Sequence, residues 1–591
     1  MVGRGHPRTV GAGEPSPVPS PTARSVPPER RAMRLRHTLA PLGASLILLT
    51  SACSGGGGGA PGDDGEDAPQ GAGSAAEAQR IAEDLLSDME LKDKVGQLLV
   101  LTVSGTTPEV DSQAIEDYRP GGFIYFPENL ESAGQIAALS NGLQERAADT
   151  GAGVPLFLGI DQEQGLVARL PIGARFPDAM AVGATGDPDQ ARTLARTTAD
   201  ELAALGINLD YAPVADVNSQ ADNPVIGVRS FGSDPDSVSE MAVAEAEAFQ
   251  KSGVVPVAKH FPGHGDTDVD SHTGLPTIDK SREDWEKTDL PPFRAAVDAG
   301  VDAIMTAHVV MPQLDDSGAP ATLSRDIIGG ILRDELGYDG VVTTDALNME
   351  GVRQAHDDGE NAVRAILAGA DQLLMPPDPK AAVSAVTDAV KEGRISEERL
   401  DESVLRILKL KARRGVIGAE PVDPDAAAKA VGSEKDQAAA QKLADTSMTL
   451  LRNKGDVLPL ADGASVYVTG KGAETIGAEL RALGYTLAST FARADATVVG
   501  TADARRDSAQ QAMVQNALGA GKPVVVIAQG TPYDLSAFPE VDAYLATYSA
   551  VEASRVAAAR TLAGKVDPAG RLPVDLPGTD LKVGAGLGYR G

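Results

Sequence analysis

A chain of 591 residues is too long for one ordinary hydrophobic core and long enough for two or three domains. Its 42% hydrophobic and 23% charged residues are ordinary globular usage, which excludes a mostly disordered, collagen-like or polytopic membrane protein. The 53 basic and 84 acidic side chains leave a net charge of −31, which excludes a nucleic-acid grip that needs a basic face. The single cysteine, Cys53, allows no disulfide within the chain and no cysteine-built metal site.

Residues 1–32 are rich in Pro, Gly, Ser and Arg and carry no apolar period, as expected of a disordered leader or an over-long start. Met33 then opens a compact export signal. Arg34 and Arg36 supply its basic end, Leu46-Ile47-Leu48-Leu49 its apolar centre, and Ser51-Ala52 precede Cys53. The apolar stretch is too short to span a bilayer as a mature helix. The run LLTSAC (48–53) resembles a bacterial lipobox, with Thr50 where leucine is commonest. That resemblance implies a lipid on Cys53 and a place on the extracytoplasmic face of the cell membrane. The alternative is a plain secretory peptide, with the protein released. Residues 1–53 thus read as leader plus signal, and the Gly-, Ala- and acid-rich residues 54–79 as a flexible tether.

From about residue 80 short apolar runs alternate with longer helical patterns, such as 188–205 and 237–252. Eight strands are predicted at 97–103, 121–126, 154–160, 207–213, 254–260, 302–308, 340–345 and 371–376. The alternation predicts an α/β fold, a (β/α)8 barrel over 80–415 that a helix near 395–413 closes. Residues 416–439, with Pro421, Pro424 and many alanines and acids, read as a linker. Residues 440–591 predict a smaller α/β sandwich with strands at 465–470, 496–500, 523–529 and 542–548.

Polar residues gather at the barrel's strand ends: Asp161 after the third, Asp216 and Asn218 after the fourth, Lys259 and His260 at the fifth, His308 at the sixth, Asp345 at the seventh. In a barrel these ends share the face where catalytic groups collect, although any one of them can be a helix cap or a solvated turn. The densest cluster is KHFPGHGDTDVDSH (259–272), which holds three of the chain's seven histidines. Three readings stand for it. A metal site has ligand-type residues but no standard zinc spacing, and the calcium-like Asp266, Asp268 and Asp270 are followed by Ser271 and Thr277 where Gly and Glu belong. A second reading is a loop of mutually satisfied polar groups. The third is acid–base catalysis, in which Asp270 orients His272 through one ring nitrogen and leaves the other to transfer a proton.

Asp345 ends the apolar run Gly340-Val341-Val342-Thr343-Thr344, a rigid support from which a carboxylate can attack an anomeric carbon. Glycoside cleavage with retention needs that nucleophile and a proton donor across the bond. With KHFPGHGDTDVDSH and VVTTDAL (341–347) side by side, the chain resembles glycoside hydrolase family 3, in its β-N-acetylglucosaminidase branch. Further similar stretches are LKDKVGQL (91–98), GGFIYF (121–126), DQEQGLVARL (161–170), NPVIGVRSFGSDP (223–235), AGVDAIMTAHV (299–309) and AGADQLLMP (368–376). TLLRNKGDVLPL (449–460) and AGRLPVDLP (569–577) extend the resemblance through the second domain.

The resemblance implies Asp345 as nucleophile, His272 as acid/base and Asp270 as its orienting partner. It also implies that Asp161, Arg169, Arg229, Lys259 and His260 hold the terminal sugar, where ion pairing at the barrel mouth is the structural alternative. Two departures stand out. Gln164-Gly165-Leu166 replaces the family's common Gly-Gly-Arg, and Ala346 follows the nucleophile where the β-glucosidase branch has a tryptophan; the only tryptophan here is Trp285. The expected activity is release of terminal N-acetylglucosamine from peptidoglycan fragments or chitooligosaccharides, with no organic cofactor, no metal and no nucleic-acid partner. Phosphorolysis on the same scaffold and a non-catalytic sugar-binding lipoprotein are the alternatives.

Overall fold

A computed structural model describes residues 74–589, apart from residue 355. The leader, the signal with Cys53, and the tether up to residue 73 lie outside the described residues.

Eight parallel strands form the first sheet: β1 (Leu99–Thr102), β2 (Gly122–Tyr125), β3 (Phe157–Ile160), β4 (Leu209–Asp210), β5 (Val255–Phe261), β6 (Ala303–Thr306), β7 (Val341–Thr343) and β8 (Leu373–Leu374). They run in the order β8-β1-β2-β3-β4-β5-β6-β7, and a parallel bridge between Thr343 and Gln372 joins the two ends. The sheet is therefore a closed (β/α)8 barrel, as the alternation predicts. Its strands are buried almost throughout, because the barrel interior covers one face and the helices the other. Continuous apolar runs rather than alternation follow from that double burial. β4 is shorter than the predicted 207–213 because Pro213 has no N–H to give to a ladder. Its direction nonetheless continues, with Tyr211 N–H on the Ile160 carbonyl at 2.9 Å and Val257 N–H on Ala212 at 2.8 Å.

Helices start where the sequence supplies caps. Asp187 and Asp234 each cap a helix whose first residue is proline, Pro188–Ala204 and Pro235–Lys251. Ser396 caps Glu397–Arg413, which packs Leu400, Val404, Ile407 and Leu408 inward. The stretch read as a linker also forms helices, Pro424–Ala430 and Glu434–Ser447. Its Asp423-Pro424 and Ser433…Asp436 pairs are helix-start signals, and Ala427, Ala440, Leu443 and Ala444 are buried.

The second sheet has six strands: β9 (Thr449–Asn453), β10 (Ser465–Gly470), β11 (Thr486–Leu487), β12 (Ala496–Thr501), β13 (Val524–Ala528) and β14 (Ala543–Ala546). Their order is β9-β14-β13-β12-β10-β11, and only β9 runs antiparallel to its neighbour. Val499, Val524 and Val526 face one apolar cluster, and Val498, Val525 and Ile527 the other, so both faces are covered. Met180, Ala181 and Ala184, on the barrel-side helix Ala179–Thr185, belong to the first of these clusters. The second domain thus packs its own core onto the barrel.

Candidate active site

The C-terminal ends of the strands carry two nets of charge. In the first, the buried Lys259 ammonium lies 2.8 Å from Asp161 Oδ1 and 2.7 Å from Glu163 Oε1. Arg229 takes both oxygens of Glu163, Nε to Oε2 and Nη2 to Oε1, each at 2.8 Å. Such a bidentate pair fixes the guanidinium plane as well as its charge. Burial disfavours ionisation of Glu163, but Arg229 and then Lys259 outweigh it and hold the carboxyl far below its usual range. Burial likewise opposes the Lys259 charge, and Asp161 and Glu163 overcome it, leaving its pKa raised.

In the second net, Asp216 Oδ2 lies 2.6 Å from His260 Nδ1, while Oδ1 accepts the backbone N–H of His260 at 3.2 Å and of His264 at 2.7 Å. Against the burial cost, His260 and His264 pull the Asp216 carboxyl below its usual range. His260 Nε2 has a long 3.5 Å contact with Arg229 Nη2. A carboxylate only accepts, so Nδ1 carries the proton shared with Asp216. The loop after β5 folds back tightly here: a Cβ on Gly265 would stand 1.7 Å from the Val217 carbonyl oxygen. Trp285 is buried beneath, its indole N–H on the Pro262 carbonyl at 2.7 Å.

Asp345 follows β7, with its N–H on the Thr306 carbonyl at 3.2 Å and its Oδ1 accepting the Ala346 N–H at 2.7 Å. Burial opposes its charge; His308, His260, the Ala346 N–H and Lys259 together outweigh it, so the carboxyl sits below its usual range. His308 is buried behind, Nε2 on the Ala346 carbonyl at 3.0 Å and Nδ1 on Thr322 Oγ1 at 2.8 Å.

On the loop, Asp270 Oδ1 receives both the backbone N–H of His272 at 2.8 Å and its Nδ1 at 2.8 Å. The His272 side chain is 61% exposed, against 7% for His260, so of the two His272 is the one open to solvent. Asp266 instead pairs with Lys280 at 3.0 Å. The calcium-like aspartates therefore do not converge, and among the described residues no group of three or more His, Cys, Asp or Glu is placed to hold a metal.

Asp161, Arg169, Arg229, Lys259, His260, His272 and Asp345 line one cavity of about 330 Å³. Asp270 reaches it through His272. Arg169 stands 5.6 Å over the Phe126 ring, and its Nε is buried without a partner among the described residues. Two titratable lining residues were not assigned a role from the sequence: Glu163 and, with its Nε2 on Ser271 Oγ at 2.9 Å, His264. A signal for Glu163 existed. It lies two residues from Asp161 in the extended strand Gln162–Gln164 and its approach, where alternate side chains share a face. The cavity can thus place a carboxylate, a solvent-linked imidazole and fixed charges of both signs around one small polar molecule.

Residues 90–410 match the Glycosyl hydrolase family 3 N terminal domain, and residues 487–585 the Glycosyl hydrolase family 3 C-terminal domain. The chain is 38% identical over 387 residues to the Beta-hexosaminidase A of Pseudoalteromonas piscicida, a match covering 61% of this chain and 64% of that one. It is 35% identical over 331 residues to Beta-hexosaminidase LpqI of Mycobacterium tuberculosis, covering 54% and 82%. Among solved structures, the glycoside hydrolase family 3 β-N-acetylglucosaminidase from Paenibacillus sp. str. FPU-7 superposes with a TM-score of 0.78 at 37% identity, covering 83% of this chain and all of that one. The family match spans more than half of the chain, and the barrel, the second sheet and the strand-end cavity agree with it: the protein belongs to glycoside hydrolase family 3.

Proposed function

We propose that the protein is an exo-acting, retaining β-N-acetylglucosaminidase that removes terminal N-acetylglucosamine from peptidoglycan fragments or chitooligosaccharides. The observation that carries this is the Asp270–His272 pair opening onto the same cavity as Asp345. Relatives named β-hexosaminidase and β-N-acetylglucosaminidase support the choice of sugar. Asp345 attacks the anomeric carbon as His272, protonated and held by Asp270, gives a proton to the departing glycosidic oxygen. The neutral imidazole then takes a proton from water, whose oxygen displaces Asp345 and regenerates the carboxylate. Lys259, Arg229, Asp161 and His260 bind the sugar's hydroxyls, and Arg169, on the same cavity wall, faces its acetamido group. Lys259 and Arg229 are held by their carboxylate partners before the sugar arrives, which removes reorganisation from the reacting step.

The test is release of p-nitrophenol from p-nitrophenyl β-N-acetylglucosaminide, with the product's anomeric configuration followed by NMR. Wild type should turn over with retention. Asp345→Ala should release nothing above background. His272→Ala should give a burst near one equivalent followed by slow turnover, because the activated phenol needs little acid help but water still lacks its base. Near-wild-type steady-state rates in either variant would refute the reading. A base that is a neutral imidazole does not repel an anionic acceptor, so the assay is repeated with phosphate; sugar-1-phosphate would make the enzyme a phosphorylase.

The same proposal places the enzyme on the extracytoplasmic face of the cell membrane, tethered through a lipid on Cys53. Its support is the basic–apolar–small run from Met33 to Cys53 and the Gly-rich segment that follows. Labelled palmitate should enter the wild-type protein and not Cys53→Ala; equal labelling would remove the anchor.

A further inference from the structure

The loop after β4, residues 217–233, carries Arg229 into the cavity on one side and lies against the second domain on the other. Asn218 Nδ2 donates to the Tyr533 hydroxyl at 3.0 Å, and both residues are buried. The Arg505 guanidinium stands 5.5 Å over the Tyr533 ring and pairs with the Asp222 carboxylate. Arg506 reaches the same carboxylate at 3.2 Å and the Asp222 carbonyl at 2.7 Å. At the far end, Ser233 N–H donates to the Pro573 carbonyl at 2.9 Å, and a Cβ on Gly232 would meet that oxygen at 2.4 Å. Val228, next to Arg229, packs on the second domain's apolar cluster. Yet no residue beyond Met375 lines the cavity itself.

We propose that the second domain is a positioning element for the sugar site: Tyr533 and Arg505 clamp the 217–233 loop so that Arg229 is fixed in place without either residue touching the sugar. This rests on reading the cavity as the sugar site. A connecting loop held only at its ends is mobile, and binding groups on it lose affinity to the entropy of ordering. Here the loop's outer side is held at both ends and in the middle. The Asp222 pair is half-exposed and contributes little to stability. Its loss therefore leaves the fold in place while loosening the clamp.

The experiment uses the full chain carrying Tyr533→Phe and Asp222→Ala together. We expect KM for p-nitrophenyl β-N-acetylglucosaminide to rise about threefold to tenfold, the equivalent of one or two lost hydrogen bonds. We expect kcat to stay within about twofold and the pH profile to keep its shape. Hydrogen exchange should quicken over 217–233 and not in the barrel strands. Arg505→Lys, which keeps a charge for Asp222, should retain most of the wild-type KM. An unchanged KM in the folded double variant overturns the proposal, whether or not exchange quickens, and so does a fall confined to kcat. If the double variant does not fold, Tyr533→Phe alone decides by the same readouts. A wild type without hexosaminidase activity would refute the function, and exchange over 217–233 would still judge the clamp.

Discussion

Ser271 Oγ lies 2.9 Å from His264 Nε2, so the buried middle residue of Asp270-Ser271-His272 is pinned while His272 beside it is exposed. The Ser271 carbonyl also receives the Gly351 N–H at 3.2 Å, and a Cβ on Gly351 would meet that oxygen at 2.8 Å. The loop therefore leans against the turn that follows Asp345. Burial, the largest influence, pushes the His264 pKa down to about 4, so the pin stays neutral across the working pH range. Ser271→Ala should lower kcat by about threefold to tenfold with KM within twofold, since the proton donor is misplaced but the sugar contacts remain. Steady-state kinetics decides; a change in KM alone would count against the pin.

Glu163 holds two cations at once, and removing a charge from a buried net leaves its partners uncompensated. Glu163→Gln should destabilise the fold by about 3 kcal/mol and raise KM more than it lowers kcat. Lys259 keeps Asp161, but Arg229 loses its bidentate partner. Thermal unfolding and KM measured on one preparation check this; a variant as stable as wild type would mean that the net adds nothing.

Asp216 fixes the His260 tautomer, and Asp216→Asn removes the negative charge while keeping the shape. The amide still accepts from the backbone N–H groups of His260 and His264, but cannot stabilise a proton on Nδ1 as a carboxylate does. A hydrogen bond to a charged group contributes about 1.5–3 kcal/mol, so kcat/KM should fall about tenfold to a hundredfold. A variant within twofold of wild type would show that His260 needs no partner.

The strand positions were legible because double burial writes each barrel strand as an apolar run ending in a polar residue. Asp161, Lys259, His260, His308 and Asp345 all stand at such ends. Partnerships were not legible. Nothing local says that Glu163 neutralises Lys259 and Arg229, or that Asp216 meets His260, because these pairs form only when separate strands close into a barrel. The helices at Pro424–Ala430 and Glu434–Ser447 were masked by a composition shared by linkers and helix starts. β9 and β11 escaped notice for other reasons: β9 is an antiparallel edge, and the two residues of β11 are too few to show a period.

Asp210 is wholly buried below the cavity, one oxygen on the Gln162 N–H at 2.9 Å and the other without a partner. Burial raises its pKa from 3.8 to about 8, and Asp161 and Glu163 add to the rise against the pull of Lys259 and the Gln162 bond. Glu245, buried close by, is also raised well above its ordinary value, by burial and then by Asp210 and Glu163. Between about pH 4 and 8 the native protein keeps the Asp210 proton that the unfolded chain has released. The native state then binds more protons than the unfolded one, so this group makes stability fall as pH rises, by up to about 1.4 kcal/mol per unit. Above about pH 8 the carboxylate ionises in place and the full cost of burying it is present. Asp210→Asn keeps the acceptor for Gln162 and cannot ionise. Its melting temperature should therefore match or trail that of wild type near pH 5 and exceed it near pH 8, while Glu245 leaves a residual slope of the same sign. Unfolding curves for the two proteins that stay parallel from pH 5 to 8 would mean that Asp210 is already ionised in the native state.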